Sequence, residues 1–278
     1  MSRTLRVVTL NCWNVAEPLD ARLALIRDEI ARLAPDVVAL QEIIVRRDGF
    51  DEAAAVLDGL GYQRVFGASF RWTPAGEWVD RTGEGDAFGN VVAARWPLVD
   101  SHVETLPGLD RDDRRSVLAT IVDTPAGRLP VLTTHLEWRF DAGHVRERQV
   151  VAVAALVDRW KERATLPPIV CGDLNAEPDS TEIRFLKGLA SLDGRSTYLQ
   201  DAWAVAGDGS PGYTWDNRNR FTALMHEPNR RIDYVLVGLP DRDGRGWIES
   251  AQVVFDVPRG DVFASDHFGV LADVRVDP

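Results

Sequence analysis

The stretch Ile169-Val170-Cys171-Gly172-Asp173-Leu174-Asn175 sets a carboxylate and an amide two residues apart at the end of a short apolar run. A run of this kind predicts a buried strand. Gly172 lets another backbone or a ligand come close, and on an extended chain Asp173 and Asn175 point to one face. Such a pair can orient a water molecule, one group accepting its proton and the other fixing its position. Gly, Asp, Asn and Pro are also ordinary turn residues. The chemical reading therefore needs matching groups from the rest of the chain.

Other strand patterns end in polar residues that a core would not select. Asn11 ends the first, Glu42 the second and His135 the Thr133-Thr134-His135 run; Asp233 lies within Arg231-Ile232-Asp233-Tyr234, and Asp266-His267 opens the last. Each alone has an ordinary structural use: Asn11 as a turn cap, Glu42 in a surface ion pair, Asp233 against Arg230 or Arg231, His135 as a satisfied core histidine. Together they are harder to dismiss, because charges inside strand patterns are costly unless paired or bound to metal. Three carboxylates brought together would force one to take a proton, and a divalent cation removes that conflict. Oxygen ligands with open water positions suit Mg2+, or Mn2+, better than Zn2+.

The elements that must position these groups follow from periodicity. Leu5 to Asn11 reads as a strand and Leu19 to Leu33 as a helix, with Leu19, Leu23, Ile26, Ile30 and Leu33 on one stripe. Val37-Val38-Ala39-Leu40 is a second buried strand closing on Gln41-Glu42, and strand, helix, strand in this order predicts a parallel crossover. A short helix over Asp51 to Leu60 and a strand over Tyr62 to Phe66 follow, and residues 67–89 read as a long surface loop. Strands over 90–95, 99–106, 116–123 and 128–136 predict antiparallel neighbours. A helix over Val145 to Trp160, the strand begun by Ile169-Val170-Cys171 and a Ser180-capped helix to Leu189 come next; residues 191–230 read as irregular, and strands over 231–237, 251–257 and 268–276 close the chain. With no linker, low-complexity segment or repeat, residues 1–278 are expected to form a single domain.

Composition narrows the classes. A 45% hydrophobic and 27% charged chain is that of an ordinary globular protein. The net charge of -11 disfavours extensive wrapping of nucleic acid but allows a local basic cleft. Cys12 and Cys171 both fall in predicted buried strands, so a disulfide framework is not expected. No signal peptide or spanning segment is read at the start of the chain, which makes a cytoplasmic location and no stable membrane insertion the expectations.

The ordered segments Thr9-Leu10-Asn11-Cys12-Trp13, Leu40-Gln41-Glu42, Gly89-Asn90-Val91-Val92, Thr134-His135-Leu136, Gly172-Asp173-Leu174-Asn175, Arg231-Ile232-Asp233-Tyr234 and Ser265-Asp266-His267 resemble the endonuclease/exonuclease/phosphatase superfamily, the DNase I-like fold. The resemblance implies a four-layer α/β/β/α sandwich, two mixed sheets face to face with helices outside. It also implies a metal-dependent phosphoester hydrolase, nuclease-like, using in-line attack of an activated water. Position by position it makes Glu42 the main metal ligand, with Asn11 and Asp266 near the ion. Asp173 activates or orients the water, Asn175 holds the phosphate or Asp173, His267 contacts a phosphoryl oxygen or shuttles a proton, and Asp233 orients its ring. His135 matches the histidine that DNase I and the sphingomyelinases place near the leaving group. Whether Asp173 or His267 is the base stays open at this point.

Asn90, Arg115 and Asn175 are the expected substrate-binding residues. Arg111, Arg114 and Arg115 form one basic group and Arg218, Arg220, Arg230 and Arg231 another, both interleaved with acids. The Asn11-Cys12-Trp13 and Glu227 to Tyr234 segments look somewhat like neutral sphingomyelinases, so a lipid or small-molecule phosphodiester stands beside nucleic acid as the partner; against a lipid, no obvious exposed apolar insertion is read, although Trp72 and Trp78 in the long loop could serve as one. No obligate protein partner is evident. The rival from another class is a binding protein that kept the fold and lost the chemistry.

Overall fold

The computed structural model describes residues 4–108 and 114–277. The first sheet is built from β1 (Thr4–Asn11), β2 (Val37–Val45), β3 (Gln63–Trp72), β4 (Trp78–Asp80), β5 (Asp86–Ala94), β12 (Ile248–Val254) and β13 (Gly269–Arg275), in the order β12-β13-β1-β2-β5-β3-β4. The second takes β6 (Leu98–Thr105), β7 (Ser116–Thr124), β8 (Gly127–His135), β9 (Ile169–Asp173), β10 (Leu199–Asp201) and β11 (Asp233–Gly238), in the order β10-β11-β9-β8-β7-β6. Both sheets are mixed: β1 with β2 and β8 with β9 run parallel, and the other pairs are antiparallel.

Strands buried on both faces explain the continuous apolar runs. Along β1 and β2, Val7, Val37 and Ala39 turn to a core between the sheets, where they join Val131, Ile169 and Val235. Their alternates Val8, Val38 and Leu40 turn outward under Leu23, Ile26 and Ile30 of α1 (Leu19–Leu33) and Val56 of α2 (Glu52–Leu57). On the far side, Leu132, Val170 and Leu236 lie under Val153 and Val157 of α3 (Gly143–Lys161) and Ile183 of α4 (Thr181–Leu186). The expected layering is thus the observed one. The stripe on α1 falls at the predicted boundaries; Ala34, in the left-handed region at φ 46°, ends the helix with its N–H on the Ile30 carbonyl. Ser180 caps α4 as expected.

Three expectations need correction. Residues 67–89 are not a loop: β3 runs on to Trp72, β4 lies within the stretch, and β5 begins at Asp86. Glycines in this stretch let backbones meet, since a Cβ on Gly89 would stand 2.1 Å from the Gly67 carbonyl oxygen. The aromatic residues between them bury against each other. Residues 191–230 are also not wholly irregular, because Leu199–Asp201 adds an edge strand and Asp201 caps α5 (Ala202–Ala206). Finally, β2 does not close at Glu42 but continues to Val45 across a register shift between Leu40 and Ile43. Among the described residues no helix is long and apolar enough to cross a membrane.

Candidate active site

Three neighbouring strands of the second sheet end level with one another. His135 of β8 pairs with Asp173 of β9 in the parallel ladder, and Asp173 pairs with Asp233 of β11 in the antiparallel one. Residues directly opposite in a sheet project to the same face, so register alone lines up an imidazole and two carboxylates. Gly172 permits this: a Cβ there would stand 2.0 Å from the Thr134 carbonyl oxygen, and its φ is +137°. Its backbone role is the one expected from sequence.

The facing sheet supplies the other half. Asn11 ends β1, and its Nδ2 donates to Glu42 Oε1 at 3.2 Å and to Asp173 Oδ2 at 3.0 Å, joining the two sheets. Glu42 sits in the β2 bulge at φ 59°; bulges re-aim side chains, and this one turns the carboxylate into the cleft. Its second oxygen accepts from Asn14 Nδ2 at 2.8 Å.

Asp173 is the hub. Its Oδ1 accepts the backbone N–H of Asn175 at 2.9 Å, and its Oδ2 lies 3.3 Å from His135 Nε2 and 3.7 Å from His267 Nε2. Asn175 does not extend the strand. It turns into the left-handed region at φ 47° and gives its Nδ2 to the Leu136 carbonyl at 3.2 Å, so it flanks Asp173 rather than standing beside it on one strand face. His267 Nδ1 lies 2.9 Å from Asp233 Oδ2, and the ring packs edge-on against Trp215 with centroids 5.0 Å apart. Asp233 is thus held by a histidine, not by Arg230 or Arg231. Ser265 Oγ lies 2.7 Å from the Asn11 carbonyl oxygen and 3.1 Å from Asp266 Oδ1, and so ties the approach to β13 to the end of β1.

Charge follows burial. Desolvation, with the Asp233 charge beside it, pushes Asp173 up to about 6. Burial raises Asp266 to about 7, with Glu42 adding to the rise. For His267 burial works against the charged ring, yet the Asp233 and Asp173 carboxylates outweigh it and carry it up to about 10. His135 moves the other way: burial, helped by the positive charges of Arg115 and His267, holds it well below the usual histidine range. One imidazole is therefore cationic and the other neutral on two sides of one carboxylate.

These groups border a cleft of about 360 Å³ lined by Glu42, His135, Asp173, Asn175, Asp266 and His267, with Asn14, Arg115 and Arg230 at its edge. Two expected substrate contacts, Arg115 and Asn175, are on it. Asn90 is not among its lining residues; it is buried in β5 and donates to the Ser116 carbonyl at 3.2 Å. Of the basic groups, Arg111 lies outside the described residues and Arg114 pairs with Asp80 at 2.6 Å. Arg218 pairs with Asp216, Arg220 reaches the Asp261 carbonyl, Arg230 pairs with Glu227, and Arg231 makes a buried two-pronged pair with Asp201. Sequence reasoning missed Asn14, although an asparagine just past a strand tolerates the left-handed turn seen there at φ 39°. It also missed Arg22. That guanidinium, fully buried on α1, donates to the carbonyls of Cys12, Trp13, Asn14, Ala16 and Ala264, and so fixes the turn carrying Asn14 and the segment leading to Asp266.

Comparison with known proteins identifies the family and the fold. A family model described as the Endonuclease/Exonuclease/phosphatase family matches residues 8–267. Nocturnin from Rattus norvegicus is 27% identical over 209 residues, 71% of this chain and 48% of its own length, and Nocturnin from Xenopus laevis is 28% identical over the same share of this chain and 53% of its own. The chain therefore spans about half the length of the curated relatives it matches. Among solved structures, an endonuclease/exonuclease/phosphatase from Beutenbergia cavernae DSM 12333 superposes with a TM-score of 0.72 at 28% identity, covering 98% of this chain and 72% of that one. The human Nocturnin catalytic domain with bound sulfate shares the fold, with a TM-score of 0.70 at 23% identity, covering 99% of this chain and 96% of the other. Truncated Caenorhabditis elegans TDP2 shares it too, at 0.73 and 17% identity over 98% of each chain. By its residues, its layers and the family match across nearly all its length, this chain belongs to the endonuclease/exonuclease/phosphatase family.

Proposed function

We propose that the chain is a divalent-metal-dependent phosphodiesterase in which Asp173 prepares a water molecule for in-line attack on phosphorus. The observation that carries this reading is the Asp173 carboxylate, buried and raised to about 6, between the Asn11 amide, the neutral His135 and the cationic His267. A base works best when its pKa lies near the working pH. Asp173 meets that condition; His267 stays charged at neutral pH and so is suited to bind a phosphoryl oxygen, not to take a proton. Asp233 holds its ring through Nδ1, leaving Nε2 toward the cleft. His135, neutral and 3.3 Å from Asp173 through Nε2, lines the same cleft and can hydrogen-bond the substrate without serving as the proton source; the departing alkoxide would take its proton from solvent. Asn175 and Arg115 border the phosphate's path.

The donor set fits a hard cation. Glu42 and Asp266 line the same cleft, and their mutual repulsion contributes to the raised Asp266, a conflict that a cation relieves. Glu42 and Asp266, with Asn11 adjacent, would hold Mg2+ or Mn2+, which when bound would offset charge on the phosphoryl oxygens. Asp173, Asp233 and His267 also bring ligand atoms within 4.8 Å of one another. Asp233 and His267 are already bonded to each other, which favours the oxygen set.

The test is hydrolysis of bis(p-nitrophenyl) phosphate, DNA, RNA, sphingomyelin and inositol phosphates by wild type and Asp173→Asn with Mg2+, Mn2+ or Ca2+. Turnover of a phosphodiester that is lost in the variant supports the reading. A wild type that binds these ligands and turns none over supports the silent binding protein instead.

A further inference from the structure

Beside the catalytic cleft lies a second cavity of about 580 Å³, within the roughly 300–1,000 Å³ common for small-molecule sites. Its wall is aromatic: Phe70 and Trp72 of β3, Trp78 of β4, Phe88 of β5, and Trp138 beyond the end of β8. Asn14, Glu42, Arg115 and Trp138 line both cavities, so the wall is continuous with the place where the phosphorus would sit. We infer that this wall is a stacking subsite for a nucleobase carried on the phosphoester substrate. The inference rests on the phosphodiesterase reading and adds a substrate class to it.

The packing of the rings supports a flat partner. Phe70 and Phe88 stack at 4.8 Å with planes 12° apart, Trp78 covers Phe70 at 4.2 Å, and Trp72 meets Phe70 edge-on at 4.9 Å. Rings in mutual contact leave no gap for a cation to enter among them, as a quaternary-ammonium cage requires. They form one rigid surface built on paired strands. At its open side Trp78 is 47% exposed and Trp138 is 56% exposed, each offering apolar area to a ligand. Arg115 and Arg139 border the wall beside Glu42, with Arg139 3.8 Å from Glu137, and the guanidiniums suit a phosphate next to the stacked ring.

Stacking a base on an aromatic side chain is worth roughly 5- to 150-fold in affinity when the ring is removed. Two readouts test the inference. The first is the ratio of kcat/KM for thymidine 5′-(p-nitrophenyl phosphate) to that for methyl p-nitrophenyl phosphate, which share a leaving group and differ in the nucleoside. This ratio should exceed about tenfold in wild type and fall about tenfold in Trp78→Ala and in Trp138→Ala. The second is calorimetric binding of thymidine 5′-monophosphate and of phosphocholine to the Asp173→Asn protein. The nucleotide should bind at least tenfold more tightly, and adding Trp78→Ala should remove most of that preference. The two variants sit on separate segments, so misfolding of one leaves the other to decide. A ratio near one in wild type, a ratio unmoved by both substitutions, or phosphocholine binding as well as the nucleotide would overturn the subsite. If the nucleotide binds through Trp78 while wild type hydrolyses no phosphoester, the subsite stands and the hydrolase reading fails. A single-stranded oligonucleotide assayed alongside separates the sources: an equal loss on it assigns the base to a polymer, and a loss confined to the mononucleotide ester assigns it to a small nucleotide.

Discussion

Gly172→Ala tests how the backbone holds the site together. An added Cβ would stand 2.0 Å from the Thr134 carbonyl oxygen, with the Thr134 nitrogen and carbonyl carbon at 3.1 Å. Real Cβ contacts essentially never fall under 3.0 Å, so β8 and β9 must part by about 1 Å at a residue pair directly before His135 and Asp173. The φ of +137° is also poorly tolerated by a side chain, which by itself costs about 1–3 kcal/mol. Strain and clash together should cost about 3 kcal/mol or more, which lowers Tm by roughly 6–12 °C for a chain of this size. The displacement falls on Asp173, whose contacts to Asn11 at 3.0 Å and His135 at 3.3 Å define the site, and a misplacement near 1 Å can lower turnover about a hundredfold. Gly49→Ala is the control: its φ is +100°, but nothing lies within 4 Å of the added Cβ, so it should lose stability without losing phosphodiesterase turnover. Thermal unfolding and kcat/KM on bis(p-nitrophenyl) phosphate read both effects. A Gly172→Ala protein with a Tm within about 2 °C of wild type and full kcat/KM would refute the argument.

Other outcomes follow from the same contacts. Arg22→Lys keeps the charge but has too few donors for the five carbonyls now served; it should cost about 2–4 kcal/mol by chemical denaturation and weaken Mg2+ binding by calorimetry, because Asn14 and Asp266 lose their support. Asp233→Asn should lower kcat by roughly a hundredfold or more, and a double-mutant cycle with His267→Ala should show strongly non-additive losses; simple addition would uncouple the pair. Burial raises Glu52 from 4.5 to about 8, so the folded state holds a proton there that the unfolded chain releases. That group's contribution to stability is full below about 4.5 and declines as pH rises to about 8. Denaturant unfolding of Glu52→Gln from pH 5 to 9 should therefore show wild type losing ground to the variant as pH rises, by up to a few kcal/mol; parallel curves would contradict the assignment.

Much of the site could be read from strand ends, because strand termini place polar groups where a core pattern stops. Asn11, His135 and Asp173 each stand at the last position of a strand, as the pattern predicts, while Asp233, expected inside a strand over 231–237, opens one instead. The α1 stripe was equally plain, since its apolar positions repeat at helical spacing. What escaped the sequence depended on contacts between distant segments. Trp72, Trp78 and Phe88 read as loop residues because glycines and charges surround them, and only the pairing of β3 with β4 and β5 shows that they form one wall. Arg22 falls on the buried face of α1, where an arginine pattern alone suggests solvent; its partners are main-chain carbonyls with no sequence signature. The bulge at Glu42 is a left-handed backbone feature set by neighbouring strands and not by local preference, whereas the left-handed turn at Asn175 is one that asparagine tolerates and an extended reading of 173–175 overlooks.

Glu42 and Asp266 are proposed to hold a divalent ion beside Asp173, and phosphodiester hydrolysis is proposed to depend on it. The most direct measurement is the rate of bis(p-nitrophenyl) phosphate hydrolysis by EDTA-stripped protein as Mg2+ or Mn2+ is restored, for wild type and Glu42→Gln. No hydrolysis is expected in EDTA, with saturable recovery with metal in wild type and at least a tenfold higher metal requirement in Glu42→Gln, because loss of a ligand's charge should cost no less than the roughly 10- to 100-fold that outer-shell partners contribute. Full activity in excess EDTA, or identical metal curves for the two proteins, would contradict it.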